Sequence, residues 1–446
     1  MSLIDIISDE NQAVTKISKI CNRLSLEEGC EIKFNTFGEP QSISEIVKKI
    51  IADVKTDGDS AVSHFLSEID KVKIDADKLI VSDAEYSEAR ESISSELESA
   101  LQLMAKRIRI YAEQMMPQKE KWFEAEKGHQ LGFRFTPIEN IGAYVPGGLG
   151  GSTPLISTVL MNLIPAKVAG VRNIVVATPP GPGGKLHPAL IRACEISGAT
   201  TVYKAGGAQG VAAMAYGTAS CPTCSKIIGP GNAFVQEAKK QLFGLIDIDM
   251  MAGPSEIAIL ADHTAKAPVL AADMIAQAEH DKLAASVIIS TNKELLKNVQ
   301  KELTLALKEL PKKEIAEESL KTYGSLLLCK DLDQGCEWMN QLAPEHLEII
   351  CENARDVAAQ IEHAGAIFIG PWTPEVVGDY TAGPSHTLPT CGAARFSSGI
   401  NVYSFLKSSS LLEYSEEAMK EDLTVLTTMA RTENLEGHAR SAESRF

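Results

Sequence analysis

Residues 155–180, LISTVLMNLIPAKVAGVRNIVVATPP, join an apolar helical pattern to a short run of β-branched residues. The run NIVVATPP (173–180) is too short for a helix, is rich in valine and isoleucine, and ends in two prolines. Helices that alternate with such runs predict βαβ units around a parallel sheet. The same alternation recurs in residues 188–207 and 208–232, which predicts a compact α/β region up to about residue 256.

A second series of short apolar runs follows this region, again with helical patterns between them. Its predicted strands are SEIAILAD (255–262), ASVIISTN (285–292), GSLLLCK (324–330), HLEIIC (346–351) and GAIFIG (365–370). We therefore predict two similar α/β layers. Residues 40–125 carry apolar residues at helical spacing, with Ser82 or Asp83 as a helix N-cap. The polar tail from about residue 411 is predicted to be helical and without strands.

Length and composition restrict the class of protein. A chain of 446 residues is too long for one ordinary core and predicts at least two domains. A formal net charge of -16 argues against nucleic acid as a partner. The N-terminal residues lack the pattern of a signal peptide, and no run of about 18 apolar residues predicts a membrane span. We expect a cytoplasmic protein without a membrane partner.

The nine cysteines are scattered along the chain. We expect them to be free thiols, as is usual in a reducing compartment. Cys221 and Cys224 form one C-x-x-C motif, CPTC, but no second pair follows at the spacing of a structural zinc site. We interpret this motif as a loop.

Three glycine-rich segments lie beside predicted strands of the first α/β region. They are VPGGLGG (145–151), GGAQG (206–210) and GPGN (229–232). Glycines between a strand and a helix allow the backbone to approach a phosphate group. None of the segments has the G-x-G-x-x-G spacing of a dinucleotide site. Tight turns and a nucleotide site therefore both remain open, although loops at one end of a single sheet favour a ligand.

The segment ADMIAQAEHDK (272–282) brings two polar residues onto one helix face. Gln277 and His280 are three residues apart, and the apolar residues around them do not explain the pair. The pattern fits a solvated helix end, a hydrogen-bonded buried histidine or half of a metal site. The segment alone does not distinguish these alternatives.

Three further segments carry groups that can transfer protons or bind a metal. Glu345 and His346 are adjacent, just before a predicted strand, where a carboxylate and an imidazole can act together. Asp379 and His386 lie in a predicted loop, rich in glycine and proline, after the strand 365–370. The polar tail contributes Glu433 and His438. Each segment also has a purely structural explanation. Glu345 and His346 could be a polar surface pair, Asp379 could cap a turn, and Glu433 and His438 could lie at a solvated helix end.

Taken in order, these motifs resemble the histidinol dehydrogenase family. The matching segments are VPGG (145–148), GGAQ (206–209), GPGN (229–232), MAGPSE (251–256), QAEH (277–280), PEHLE (344–348), GDYTAGPSHTLPT (378–390) and the terminal EGH (436–438). The resemblance runs from about residue 30 to the end of the chain. Enzymes of this family use zinc and NAD to oxidise L-histidinol to L-histidine through L-histidinaldehyde, the last steps of histidine biosynthesis.

The resemblance implies roles for particular residues. It implies one zinc ion per subunit, with the ligands Gln277, His280, Asp379 and His438. It implies catalytic proton transfer by His346 in the first oxidation and by Glu345, as the activator of water, in the second. It implies substrate contacts by Ser255, Glu433 and His346 and by the four zinc ligands. It implies NAD contacts by Tyr144, Gln209 and Asn232, one in each glycine-rich segment or directly beside it. His386 is expected near the site without an assigned task.

The fold implied is α/β, with two incomplete Rossmann-like parallel-sheet domains and small helical terminal segments. The expected division is a helical segment at 1–40, an α/β domain with the zinc and catalytic residues at 41–143 and 257–400, an NAD-binding α/β domain at 144–256, and a C-terminal helical arm at 401–446. The family forms an intertwined homodimer, so we expect the arm to complete the active site of the partner subunit.

Three other functions are compatible with parts of this pattern. A related zinc- and NAD-dependent dehydrogenase could act on another small alcohol, although Ser255, Glu433 and His438 favour histidinol. A metal-dependent hydrolase also uses zinc, glutamate and histidine, but it has no need for three glycine-rich loops beside a parallel sheet. A non-catalytic relative is disfavoured because Glu345 and His346 are both present.

Overall fold

The computed structural model describes residues 3–23, 31–32, 41–147, 154–251 and 253–446. The helices are α1 (Glu10–Cys21), α2 (Ile43–Asp57), α3 (Asp59–Glu68), α4 (Asp83–Ser92), α5 (Ser95–Met115), α6 (Ile156–Ala169), α7 (Pro188–Ser197), α8 (Gly207–Tyr216), α9 (Ala233–Leu242), α10 (Ala267–Ala278), α11 (Lys293–Ala306), α12 (Lys313–Tyr323), α13 (Leu332–Leu342), α14 (Ala354–Ala358), α15 (Glu375–Tyr380), α16 (Glu416–Thr432) and α17 (Glu436–Glu443). Within the described residues, no helix is both long and apolar enough to cross a bilayer.

The strands form two parallel sheets, a three-stranded antiparallel sheet and a short two-stranded pair. They are β1 (Ile6–Ile7), β2 (Glu31–Ile32), β3 (Gln41–Ser42), β4 (Glu120–Glu126), β5 (His129–Pro137), β6 (Asn140–Tyr144), β7 (Asn173–Ala177), β8 (Thr201–Tyr203), β9 (Lys226–Ile228), β10 (Asp247–Ile248), β11 (Glu256–Ala261), β12 (Ala285–Ser290), β13 (Ser325–Leu328), β14 (His346–Ile350), β15 (Ala366–Ile369) and β16 (Leu406–Tyr414).

The first parallel sheet has the strand order β10-β9-β6-β7-β8. Successive residues of β7 point to opposite faces, so Ile174 and Val176 pack in one hydrophobic core and Val175 and Ala177 in another. Both faces are covered by helices. This explains why the strand is a continuous apolar run rather than an alternating one.

The second parallel sheet has the order β1-β13-β12-β11-β14-β15. Its last five strands repeat the order of the first sheet, since in each layer the first strand is flanked by the second and the fourth. That order corresponds to a Rossmann sheet that lacks its sixth strand. The predicted pair of incomplete Rossmann-like layers is therefore confirmed.

The helices between residues 43 and 115 pack against the first sheet. Side chains of α2, α3 and α5, among them Ile50, Phe65 and Ile108, share hydrophobic cores with β6, β7 and β8. This packing differs from the expected grouping of residues 41–143 with 257–400. The second sheet is covered instead by α1 and α10 to α14, and β1 of the N-terminal segment extends its edge.

Three local predictions need comment. Ser82 caps α4 through a capping box, as predicted. The predicted helical region ends early, because residues 120–126 form β4, which pairs with β5. The C-terminal segment was predicted to lack strands, but residues 406–414 form β16, which pairs antiparallel with β5. Seven of the nine β16 residues are exposed, so the strand lacks the alternating apolar pattern by which a sequence reveals one.

Candidate active site

Glu345 and His346 lie at the amino end of β14, and both side chains are buried. The neighbouring strand β11 begins at Glu256, whose backbone contacts both of them. Its N–H donates a hydrogen bond to Glu345 Oε2 (2.9 Å), and its carbonyl oxygen lies 3.0 Å from His346 Nδ1. One residue of the adjacent strand thus orients both proton-transfer groups.

The hydrogen bond to the carbonyl of Glu256 decides the tautomer of His346. A carbonyl oxygen only accepts hydrogen bonds, so Nδ1 carries the proton and Nε2 keeps its lone pair. Nε2 is buried and has no hydrogen-bond partner among the described residues. Burial lowers the pKa of His346 to about 4, against the opposing effects of the Glu256 carbonyl and of Asp379. The neutral ring is therefore able to accept a proton at neutral pH.

Burial has the opposite effect on the adjacent carboxyl group. It raises the pKa of Glu345 well above the ordinary value, and the negative charges of Glu256, Asp379 and Glu375 add to the shift. The N–H of Glu256 opposes it. A carboxyl group with a raised pKa is suited to exchanging protons close to neutral pH.

Gln277 and His280 lie where α10 ends. The helix stops at Ala278, so Gln277 is in its last turn, while His280 follows in a turn closed by its N–H to the Gln277 carbonyl (3.2 Å). The side chain of Gln277 is buried, and its Oε1 has no hydrogen-bond partner among the described residues. A buried amide oxygen without a partner is costly unless a ligand binds it.

Asp379 lies on the short helix α15, not in a loop as its glycine- and proline-rich surroundings predicted. Its Oδ1 is 3.2 Å from His386 Nδ1. Burial acts to raise the pKa of Asp379, but the hydrogen bond to His386 and the nearby His346 and His280 outweigh it and lower the pKa. Asp379 on α15 and His280, which follows α10, therefore both lie near His346 of the proton-transfer pair.

Glu375 is a site residue that the sequence did not reveal. Ligand atoms of His346, Glu375 and Asp379 all lie within 4.8 Å of one another, and Glu375 Oε1 is 3.5 Å from His346 Nε2. Burial and the charge of Asp379 raise the pKa of Glu375 to about 8. The i,i+4 spacing of Glu375 and Asp379 is the signal that could have identified it, had residues 375–380 been predicted as a helix.

Ser255 and the tail residues have different surroundings. Ser255 lies directly before β11, half-buried beside the Glu256 backbone. Glu433 ends α16 and His438 lies in α17, and both are exposed. Among the described residues, neither Glu433 nor His438 forms a side-chain hydrogen bond or ion pair with the residues around His346. The single chain therefore brings His346, Asp379 and His386 together, with His280 close enough to act on their pKa values, whereas the tail residues form no such contacts in the described part of the chain.

The predicted cofactor residues lie at the carboxyl edge of the first sheet. Tyr144 ends β6, Gln209 is in the first turn of α8, and Asn232 caps α9 by accepting a hydrogen bond from Val235 N–H (3.2 Å). Strands β6 and β9 are neighbours in this sheet. The strands that follow β6 are added on one side of this pair, and the strand that follows β9 is added on the other side. Crevices at such positions are where parallel α/β sheets bind ligands.

Hydrogen bonds give the three residues defined positions at this edge. The hydroxyl of Tyr144 accepts from Gly207 N–H (3.1 Å), and Gln209 Nε2 donates to Asp70 (2.9 Å). Gly229 has φ +107°, and a Cβ atom there would collide with the Tyr144 carbonyl oxygen. Glycine is therefore required for the close approach of this loop to β6. Residues 148–151 of the segment VPGGLGG lie outside the described residues.

Two hydrogen bonds connect helix α6, which follows β6, to residues 386 and 387, and His386 in turn contacts Asp379 beside His346. Thr158, in the first turn of α6, lies 3.0 Å from His386 Nε2, and Thr387 donates to Asn162 of the same helix (3.0 Å). The carboxyl edge of the first sheet therefore faces the amino edge of the second, where β11 and β14 begin. The predicted cofactor residues lie at the first of these edges and the proton-transfer residues at the second.

Comparisons with known proteins agree on one family. A model described as histidinol dehydrogenase matches residues 36–446. The histidinol dehydrogenase of Bacillus subtilis (strain 168) is 45% identical over 400 residues, which cover 90% of this chain and 92% of that protein. The crystal structure of histidinol dehydrogenase from Elizabethkingia anophelis matches with a TM-score of 0.90 at 31% identity, over 100% of this chain and 98% of that chain.

The chain belongs to the histidinol dehydrogenase family. The resemblance predicted from its motifs is therefore confirmed, and with it the prediction of an oxidoreductase with an α/β fold. A second relative of the same name, from Synechococcus sp., is 44% identical over 399 residues, which are 90% of this chain and 91% of that protein.

The CPTC motif lies away from the site of this histidinol dehydrogenase family member. Cys221 and Cys224 are buried in the connection between α8 and β9. Burial raises the pKa of both thiols, to about 12 for Cys224. The described part of the chain has one cluster of His, Cys, Asp or Glu side chains that could hold a metal ion. It lies around His346 and contains no cysteine. The interpretation of CPTC as a loop agrees with this placement.

Proposed function

We propose that this chain oxidises L-histidinol to L-histidine in two successive steps, through L-histidinaldehyde, with zinc and NAD. The observation that carries the proposal is the buried pair of Glu345 and His346, oriented by one backbone residue in a chain of the histidinol dehydrogenase family. Each step removes two electrons, and the pair offers one base for an alcohol and one group for the activation of water.

The residues present fit a zinc ion. Gln277, with its unpartnered buried Oε1, and Asp379, beside His346, are a suitable amide and carboxylate donor, and His280 and the tail residue His438 would complete the set. When bound, zinc would polarise and orient the amino and imidazole nitrogens of the substrate. On binding the metal, Asp379 would give up its contact with His386. His386 would then be free to contact the substrate or to keep its contact with Thr158.

The residues at the carboxyl edge of the first sheet fit NAD. Tyr144 lies at the end of β6, Gln209 near the start of α8 and Asn232 at the start of α9. Gly229 lets the loop before α9 approach the backbone of Tyr144. Helix N-termini with unoccupied N–H groups favour phosphate groups. NAD would accept a hydride in each of the two steps.

His346 would serve as the base of the first oxidation. Its Nε2 is unprotonated at neutral pH and has no hydrogen bond to any described residue, so it can take the hydroxyl proton of the alcohol as the carbon loses hydride. Glu256 holds the opposite nitrogen and keeps this tautomer in place. Ser255, directly before Glu256, would contact the substrate.

Glu345 would serve in the second oxidation. The aldehyde must first add water, and a carboxylate beside the carbonyl carbon can take a proton from that water. The resulting hydrate is again an alcohol, and loss of its hydroxyl proton and of hydride from the same carbon gives the carboxylic acid. The raised pKa of Glu345 makes it a stronger base, once ionised, than an exposed glutamate.

The tail would act in the partner subunit of a homodimer. Glu433 and His438 are exposed in the single chain, and α16 also exposes Val425 and Met429, which are 64% and 55% exposed. Apolar residues on a helix of this kind favour packing against another chain. We propose that this arm packs on a second copy, where Glu433 would contact substrate and His438 zinc. A cytoplasmic location stays a prediction.

The first experiment measures NADH formation by the purified protein with zinc, NAD and L-histidinol. We expect two NADH for each histidinol consumed, L-histidine as the product, loss of activity on chelation and recovery with zinc. A fully folded, zinc-binding protein that forms no NADH with histidinol would contradict the proposed substrate. A panel of other small alcohols, with and without an amino group, would then identify the substrate class.

A further inference from the structure

Arg23 is a buried cation that the proposed reaction does not use. It lies two residues after the end of α1 at Cys21, and it is 1% exposed. The family model matches residues 36–446, so Arg23 lies outside the matched part of the chain. Its guanidinium forms an ion pair with Glu256, with 3.4 Å between Nη2 and Oε1. Nη2 also donates to the carbonyl oxygen of Pro254 (3.2 Å), and the guanidinium lies over the ring of Tyr323.

Glu256 connects this ion pair to the proton-transfer groups. Its side chain pairs with Arg23 and accepts a hydrogen bond from the backbone N–H of Cys391, while its backbone contacts Glu345 and His346. The side chain and the backbone of one residue therefore serve two different purposes. The buried contacts of the side chain and the backbone contacts with the proton-transfer groups thus meet at one residue.

Charge gives a reason for a cation at this place. Glu256 and Glu345 are two buried carboxyl groups joined through one hydrogen bond to the Glu256 backbone. Burial raises the pKa of Glu256, and the guanidinium of Arg23 and the N–H of Cys391 oppose that shift. A buried carboxylate without such a partner would protonate or draw water into the site. Arg23 therefore keeps the side chain of Glu256 anchored.

We propose that Arg23 and Glu256 are positioning residues, whose ion pair fixes the backbone that holds Glu345 and His346 in reacting geometry. The N-terminal helix α1 thus contributes to the active site by way of Arg23, although it contacts no reacting atom. This inference rests on the proposed function in so far as Glu345 and His346 are the proton-transfer groups.

The test replaces both members of the pair by methionine. Removing one member alone would leave a buried charge unpaired, whereas the double variant Arg23→Met/Glu256→Met removes both charges and keeps apolar volume. We expect it to fold with an unfolding midpoint close to that of the wild type. Its kcat with L-histidinol should fall about tenfold to a hundredfold, with a smaller change in KM, because the reacting groups lose their alignment.

A second readout does not depend on activity. Histidine labelled with ¹⁵N reports the Nδ1–H tautomer of His346, and the signal is identified by its absence in His346→Asn. In the double variant we expect faster exchange of this proton and a mixture of tautomers. The control is Lys16→Met, which removes a half-buried cation of α1 that donates to the Thr322 carbonyl, and which should change neither readout.

The outcomes separate the two proposals. A folded double variant with wild-type kcat and an unchanged His346 signal would show that the ion pair is not a positioning device. If the double variant does not fold, Arg23→Gln/Glu256→Gln, which also removes both charges and keeps an acceptor for Cys391 N–H, decides the question by the same two readouts. If the wild type itself does not oxidise L-histidinol, the proposed function fails, and the His346 signal still tests the positioning role.

Discussion

At the scale of single residues, the surroundings of Gln277 and Glu345 decide what each can do. Gln277 is buried with its Oε1 unpartnered, and Glu345 is buried with one oxygen held by the Glu256 N–H. Such positions are unfavourable for folding alone, because buried polar groups without full partners cost free energy. They become useful when a ligand or a reacting group completes the contacts.

The variant Gln277→Met should separate stability from metal binding. Methionine has a similar length and no polar atom, so the metal-free variant should be as stable as the wild type or more stable. Zinc affinity should fall by about tenfold or more, because one donor is lost. Chemical unfolding of the metal-free proteins and competition with a coloured chelator measure the two quantities. Equal zinc affinity in variant and wild type would remove Gln277 from the ligand set.

The variant Glu345→Gln should damage the second oxidation more than the first. Glutamine can still accept the hydrogen bond from Glu256 N–H, so the geometry is retained while the titratable group is lost. We expect the rate from L-histidinaldehyde to fall by about 10²–10⁴-fold. The measurement compares NADH formation from histidinol and from the aldehyde, with His346→Asn as the matched variant for the first step. Equal losses in both steps would contradict the division of roles.

The depressed pKa of His346 predicts a pH dependence of stability. Folding favours the neutral ring, so between pH 6.5 and about 4 the unfolded chain binds more protons and His346 makes folding less favourable as pH falls. Over that window the effect reaches about 3 kcal/mol. The difference in unfolding free energy between metal-free wild type and His346→Asn should therefore shift against the wild type on acidification. A difference that does not vary with pH would show that His346 titrates normally.

At the scale of elements, the turn between β9 and α9 depends on one close backbone contact. Gly229 and Gly244 have similar positive φ angles, +107° and +101°. A Cβ at Gly229 would collide with the Tyr144 carbonyl, whereas one at Gly244 would meet nothing within 4 Å. The two glycines thus share a backbone requirement and differ in their surroundings.

Alanine at these two positions should separate the two effects. Gly244→Ala should lower the free energy of unfolding by about 1 kcal/mol, because alanine is strained at this positive φ. Gly229→Ala should cost clearly more, because β6 and the following loop must also move apart, and it should weaken NAD binding at that edge. Urea unfolding and titration with NADH, followed by fluorescence, measure these effects. Equal destabilisation by both variants would mean that the loop adapts and that close approach to β6 is not required.

At the scale of the whole molecule, the site lies where two sheets meet. The amino edge of the second sheet faces the carboxyl edge of the first, and contacts such as Thr158 with His386 join them. Glu433 and His438 are exposed in the single chain, and among the described residues neither forms a side-chain hydrogen bond or ion pair with those around His346. The proposed ligand set would be completed by the arm of a second copy, as proposed above.

Mixed dimers test the shared site. Subunits with His438→Ala lack a proposed metal ligand, and subunits with His346→Asn lack the proposed base, so either homodimer should be inactive. A heterodimer of the two should recover up to about half of the wild-type activity, since one of its two sites would be intact. Differently tagged subunits, refolded together and purified by both tags, provide the sample. Purified heterodimers without activity would contradict an arm that acts in trans.

The sequence alone determined the parallel α/β layers and the residues that carry the family motifs. Apolar runs such as NIVVATPP, and short motifs such as QAEH and PEHLE, are local patterns, and local patterns report secondary structure and residue type. Only the tertiary structure decided the hydrogen bonds of Glu256, the ion pair of Arg23, the position of Glu375 beside His346 and the pairing of β16 with β5. These depend on which strands become neighbours and in what register, and that follows from packing between segments far apart in the chain.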